Sequence, residues 1–192
     1  MNLQESFSSG SPDAEEGFGL APQTSSSSPV ELVLDGHRIV GELRYTGPPR
    51  RVVDVLNGID GAFLLVHAAE IEDLFRPQEQ RHRCEVAHVL RDGVLFAVPR
   101  SEPPGRANAF EIVPKVPVPA VLALPGFTVE GRVHLVPDMD PRQVLLLGHR
   151  NFLPVTEAAV VASQGDGVRW REPVILVNLA RAQLYAPNPT TG

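Results

Sequence analysis

The stretch RPQEQRHRCEVAH, residues 76–88, is the cluster in this chain that most suggests chemistry. His82, Cys84 and His88 are potential metal ligands, and Arg76, Arg81, Arg83 and Arg91 surround them. A structural zinc site needs four ligands in short paired spacings. No fourth ligand is evident, so neither a metal nor a cofactor is expected. The arginines suit a different task, since guanidinium forks match phosphates and carboxylates. Glu72, Asp73, Glu79, Glu85 and Asp92 interleave with them and would neutralise much of the patch. An anion, nucleotide or nucleic-acid binding module using an Arg-rich loop at 76–91 is therefore the second reading.

Catalytic signatures are absent from the sequence. There is no nucleophile elbow, no paired His and carboxylate motif and no Gly-rich phosphate loop. His67 and His134 align with Thr156 and Arg44 in the internal comparison below, and no partner for them is in view. An enzyme is not expected. Arg50 and Arg142 follow matching prolines, Pro49 and Pro141, and read first as solvated first-turn residues, with a symmetric pair of contacts to one partner as the functional alternative. Asp54, Asn57 and Asn178 are read as caps or turn formers.

The elements that must position these residues are written twice. LVLDGHRIVGELRY at 32–45 and LALPGFTVEGRVHL at 122–135 agree at an ungapped offset of 90 residues. FLLVHAAEI at 63–71 and FLPVTEAAV at 152–160 agree at an offset of 89. Between these blocks stand PRRVVDVLNG from Pro49 and PRQVLLLG from Pro141. Proline at the first turn and glycine at the end predict a short helix in each copy, with Asp140 as a cap. GVLFAVPR at 93–100 is matched to PVILVNLAR at 173–181 as the closing strand.

Each copy thus predicts a strand, tight turn, strand, short helix, strand, variable loop and closing strands. Gly36 and Gly126 fall at the turns, where positive φ is needed. Gly41 and Gly131 fall in mid-strand, where a bulge, a bend or close packing of another backbone is expected.

The fold expected is mainly β (α+β): two tandem curled sheets or barrels, SH3-like or Sm-like, each with a short helix. Two copies of this size are marginal alone, so they should pack about a pseudo-twofold axis or share one continuous sheet. Residues 1–29 are rich in Ser, Gly, Pro and acids and predict a disordered tail. Repeat 1 spans 30–101 and a Pro-rich linker spans 102–118, the segment Glu102–Pro119 carrying five prolines. Ala109 to Val113 within it could form an edge strand. Repeat 2 spans 119–187 and a tail 188–192.

The second copy of the pattern resembles, with the first, an uncharacterised small bacterial domain of the form Gly-x-Val-x-Leu, Asp-x-Leu-Asn, Phe-Leu-x-Leu-x-x-Ala and Val-x-Val-Asn. GELRY and GRVHL match its first element, Asp54-Val55-Leu56-Asn57 its second, FLLVHAA and FLPVTEA its third, and Ile175-Leu176-Val177-Asn178 its last. The second copy lacks Asp-x-Leu-Asn, and the first places Pro99 where the second has Asn178. The resemblance implies a β-rich fold and no mechanism.

With 17 basic and 23 acidic residues, a net charge of -6 opposes nonspecific attraction to nucleic acid or an anionic membrane. Cys84, the single cysteine, excludes an intramolecular disulfide, and neither a secretory signal nor a membrane-spanning run is visible. The expectation is a cytoplasmic, noncatalytic interaction, scaffold or regulatory module whose partner is another protein, with a homo-oligomer as an option. Strands flanking the linker are expected to accept a partner strand at their edges.

Overall fold

The computed structural model describes residues 25–58, 61–74, 76, 81–101, 114–146, 152–163 and 169–190. Ten strands form one antiparallel sheet: β1 Ser25–Leu34, β2 His37–Thr46, β3 Phe63–Asp73, β4 Arg81–Leu90, β5 Val94–Pro99, β6 Val116–Leu124, β7 Phe127–Leu135, β8 Phe152–Ala162, β9 Arg169–Asn178 and β10 Leu184–Pro187. Their spatial order is β10-β6-β7-β8-β9-β5-β1-β2-β3-β4. The sheet is open, with β10 and β4 at its ends. The single α-helix of the described residues, α1, spans Val52–Gly58. Among the described residues no helix is long and apolar enough to cross a membrane.

The first five strands lie in the order β5-β1-β2-β3-β4 and the last five in the order β10-β6-β7-β8-β9. Cross-strand partners correspond as well. Leu32 faces Ile39 as Leu122 faces Val129, and His67 faces Val86 as Thr156 faces Val174. Even loop hydrogen bonds correspond: Leu74 N–H donates to Gly36 O at 3.0 Å, and Ser163 N–H to Gly126 O at 2.8 Å.

The glycines follow from this geometry. Gly36 and Gly126 are the second residues of two-residue turns, at φ 83° and 73°, where a side chain would be strained. Gly41 and Gly131 face β-bulges. The register of β2 on β3 slips between Val40 and Glu42, and that of β7 on β8 between Glu130 and Arg132. The extra residues, Ala68 and Glu157, take φ of 47° and 50°. The bulged backbone is pushed inward, so a Cβ at Gly41 would stand 2.6 Å from His67 O. One at Gly131 would stand 2.8 Å from Thr156 O.

Several sequence expectations are corrected. β1 starts at Ser25, inside the stretch assigned to the tail, because Ser25–Pro29 pair with Glu42–Thr46 and Ser28 is buried. Residues 1–24 lie outside the described residues, as does 102–113, including the edge strand expected at 109–113. Val116–Val118, assigned to the linker, open β6. Residues 81–90 are strand rather than loop; the charges of an edge strand hid their alternation. β9, containing Pro173–Asn178, takes the place of β4, and β10 that of β5. The pairing of 93–100 with 173–181 was therefore out of register, since buried aliphatic strands look alike.

The helix of the first half starts at Val52 rather than beside Pro49, and its counterpart is a 3-10 helix, Pro141–Leu146. The two halves share one continuous sheet. Their junction pairs β5 with β9, Phe96 facing Val177 and Ala97 facing Leu176. These strands are not equivalent, so the junction has no pseudo-twofold axis.

Two cores flank the junction. One holds most apolar residues of the second half together with Val33, Leu74, Leu95, Phe96 and Val98 of the first. The other holds the first half's residues with Phe152 and Leu176 of the second. Phe96, Phe127 and Trp170 meet edge to face with centroids 5.6–5.9 Å apart, which locks β5 into the core of the second half.

Candidate functional site

Two of the arginines singled out in the sequence, Arg81 and Arg83, lie in a row of ion pairs that crosses the sheet. Glu31, fully buried on β1, accepts from Arg38 Nε at 2.6 Å and from Arg100 Nε at 3.1 Å. Arg38 also donates to Glu72 at 2.6 Å, and Glu72 accepts from Arg81 at 3.0 Å. Arg81 reaches Glu70 at 2.9 Å, and Arg83 reaches the same carboxylate at 3.4 Å. At the other end Arg100 pairs with Glu172 of β9 at 3.0 Å. Strand register explains the row, because Arg38, Glu72 and Arg81 stand directly opposite one another.

Burial alone would raise the Glu31 carboxyl pKa, but hydrogen bonds and charge from Arg38 and Arg100 outweigh it and hold the value below normal. The same contacts raise the Arg38 guanidinium above its usual range. A carboxylate inside the run Val30-Glu31-Leu32-Val33, buried throughout, must be paired. That run was the sequence signal for Glu31, and it was overlooked.

The remaining arginines have local partners. Arg76 pairs with Asp73 at 3.8 Å and Arg91 with Asp92 at 3.6 Å. Arg50 donates to Thr46 O at 3.0 Å, while Arg142 binds Asp140 at 3.1 Å. The two are therefore held by different local contacts. Asp140 caps the 3-10 helix by accepting the Arg142 N–H, and its pKa falls below the usual carboxylate range through that bond and the Arg142 side chain. His82, Cys84 and His88 spread along extended β4. The described residues hold no group of three or more His, Cys, Asp or Glu that could hold a metal ion.

The structure brings a different set together. A groove of about 430 Å³ lies where α1 of the first half meets β7 and β8 of the second. Val53, Leu135, Val136, Met139 and Leu153 give it apolar walls, and Lys115 and His134 stand among its polar groups. Asn57 fixes α1 over its base, where the side-chain amide donates to Phe152 O and accepts Phe152 N–H, both at 2.9 Å. In this way Asn57 continues the ladder beyond the end of β8. Asn178, also buried, donates to Val94 O at 2.8 Å and accepts the Ala180 N–H at 3.1 Å.

The first half carries the counterpart, a groove of about 290 Å³ that includes Arg44, Tyr45, Arg50, Phe63 and Leu65. Arg44, Phe63 and Leu65 stand where His134, Phe152 and Pro154 stand in the larger groove. Sequence reasoning missed both grooves; the larger joins Arg51, Val53, Asp54 and Asn57 to residues far along the chain, from Lys115 to Leu179. The repeated Phe63 and Phe152 were the only local hint.

Comparison of the chain with protein-family models, curated proteins and solved structures finds no match.

Proposed function

We propose that the chain is a noncatalytic interaction module, a scaffold or regulatory protein built from an internal duplication and working on another protein. The observation that carries this reading is the pair of corresponding grooves, each lined in part by the second and third strands of its half. The groove under α1 has the apolar walls and few convergent polar groups of a binding site. A partner engaging both grooves would gain from effective concentration without new contacts. The row of ion pairs counts against anion binding, because Arg81 and Arg83 already serve Glu70 and Glu72.

Capture of partners by the full chain, compared with Val136→Glu and Leu65→Glu variants, tests the reading. A stoichiometric partner retained by the native chain and lost by either variant supports it. Equal capture by all three chains overturns it.

A further inference from the structure

We propose that the chain associates head to tail with further copies of itself, β10 of one chain pairing with β4 of the next. The inference rests on reading the two halves as copies, and its template is the β5·β9 junction within each chain. β5 and β10 pair with equivalent strands in the same register: Ala97 and Pro99 face Leu32 and Val30, as Tyr185 and Pro187 face Leu122 and Ala120. β4 stands on β3 as β9 stands on β8. The junction joins a β5-type edge to a β9-type edge, and the ends of the sheet, β10 and β4, are the same two types without a neighbour among the described residues.

The side chains at these ends carry the imprint of a missing neighbour. Phe152, covered at the junction by α1, is 1% exposed, whereas its counterpart Phe63 is 56% exposed. Phe96 is fully buried against β9, whereas its counterpart Leu184 is 50% exposed. Leu65 and Leu90 extend the apolar surface beside β4. Transferring the junction register sets Leu184 of one chain opposite Val89 of the next, and Tyr185 opposite His88. The 3-10 helix Pro141–Leu146 stands beside β10 and would take the place over Phe63 that α1 takes over Phe152.

The charged beginning of β4, Arg81–Arg83, is engaged within its own chain and lies away from this contact. It blocks pairing along the whole edge while leaving the end at Ala87–Leu90 open. The contact is heterologous, so it propagates into a ring or an open filament.

Disulfide trapping tests the register. In a Cys84→Ser background, a His88→Cys chain mixed with a Tyr185→Cys chain should form a cross-linked dimer on oxidation. An Arg81→Cys chain mixed with Tyr185→Cys should not. Sedimentation of the native chain should show mass rising with concentration. Leu184→Arg or Phe63→Arg, both on exposed positions, should keep the chain monomeric with unchanged circular dichroism. A native chain that is monomeric at its highest soluble concentration overturns the proposal, as does equal cross-linking in and out of register. A monomeric chain that still captures another protein through its grooves would overturn self-association alone and leave the interaction reading standing.

Discussion

Residues Ala87–Leu90 of β4 and Ile175–Asn178 of β9 occupy corresponding positions, each pairing with the start of the third strand of its half. In β9 all four are buried, because β5 covers the free side of the strand. In β4 only Ala87 and Val89 are buried, while His88 and Leu90 face outward. One backbone pattern thus carries an apolar run where a neighbour is present and alternation where it is not. The electrostatics differ in parallel. Where the first half has Glu31, Arg38, Glu70 and Glu72, the corresponding places of the second hold Val121, Thr128, Ala159 and Val161. A shared register therefore fixes which residues meet, and the residues decide whether they meet as ion pairs or apolar contacts.

The comparison breaks most visibly at the paired phenylalanines. Phe152→Ala should lower the unfolding free energy by about 3–5 kcal/mol. Phe63→Ala, measured at dilution where each chain is alone, should change it by less than about 0.5 kcal/mol. Urea unfolding of both variants checks this, and equal losses would remove the distinction between covered and open ends.

Arg38→Met should cost about 3 kcal/mol, because it withdraws one of the guanidinium partners from a fully buried carboxylate. Thr128→Met at the corresponding place of the second half should cost less than about 1 kcal/mol, since no ion pair is lost there. Thermal unfolding separates the two.

Gly41→Ala and Gly131→Ala should each cost about 1–3 kcal/mol, because the new Cβ meets backbone that a bulge holds in place. Near-equal losses would show that both bulges are equally rigid. Gly36→Ala, whose Cβ would meet open space, should lose only about 1 kcal/mol through its positive φ.

The smallest effect concerns acid. The folded state holds the Glu31 carboxyl below its unfolded value, so its contribution is fully present above about pH 4.3. It is lost as the pH falls through the lower folded value. Stability measured from about pH 7 to about pH 3 should therefore fall less steeply for Glu31→Gln than for the native chain. Parallel curves would mean that Glu31 gains nothing from its arginines.

Much of the local structure was legible. Asp35-Gly36 and Pro125-Gly126 announce their turns, and the repeated Gly41 and Gly131 announce an unusual strand position, since glycine there forfeits packing unless something needs the space. β4 was not legible as a strand. Its alternation is written in arginine, histidine and glutamate, which look like a loop until the opposing carboxylates of β3 are in place. Nor did the arginines declare themselves as structural, because Glu31 lies 50 residues from Arg81 and only strand pairing links them through Arg38 and Glu72.

Hydrophobic spacing and turn residues determined by themselves the mainly β character and the two hairpins, because each is governed by neighbours in the chain. Tertiary structure alone decided that the halves join through β5 and β9, that α1 roofs a groove of the other half and that Arg38, Arg81 and Arg100 pair with the buried Glu31 and Glu72. Those outcomes depend on which edges meet. Two strands of similar aliphatic composition, such as β5 and β9, offer the same local pattern whether they are covered on one side or on both.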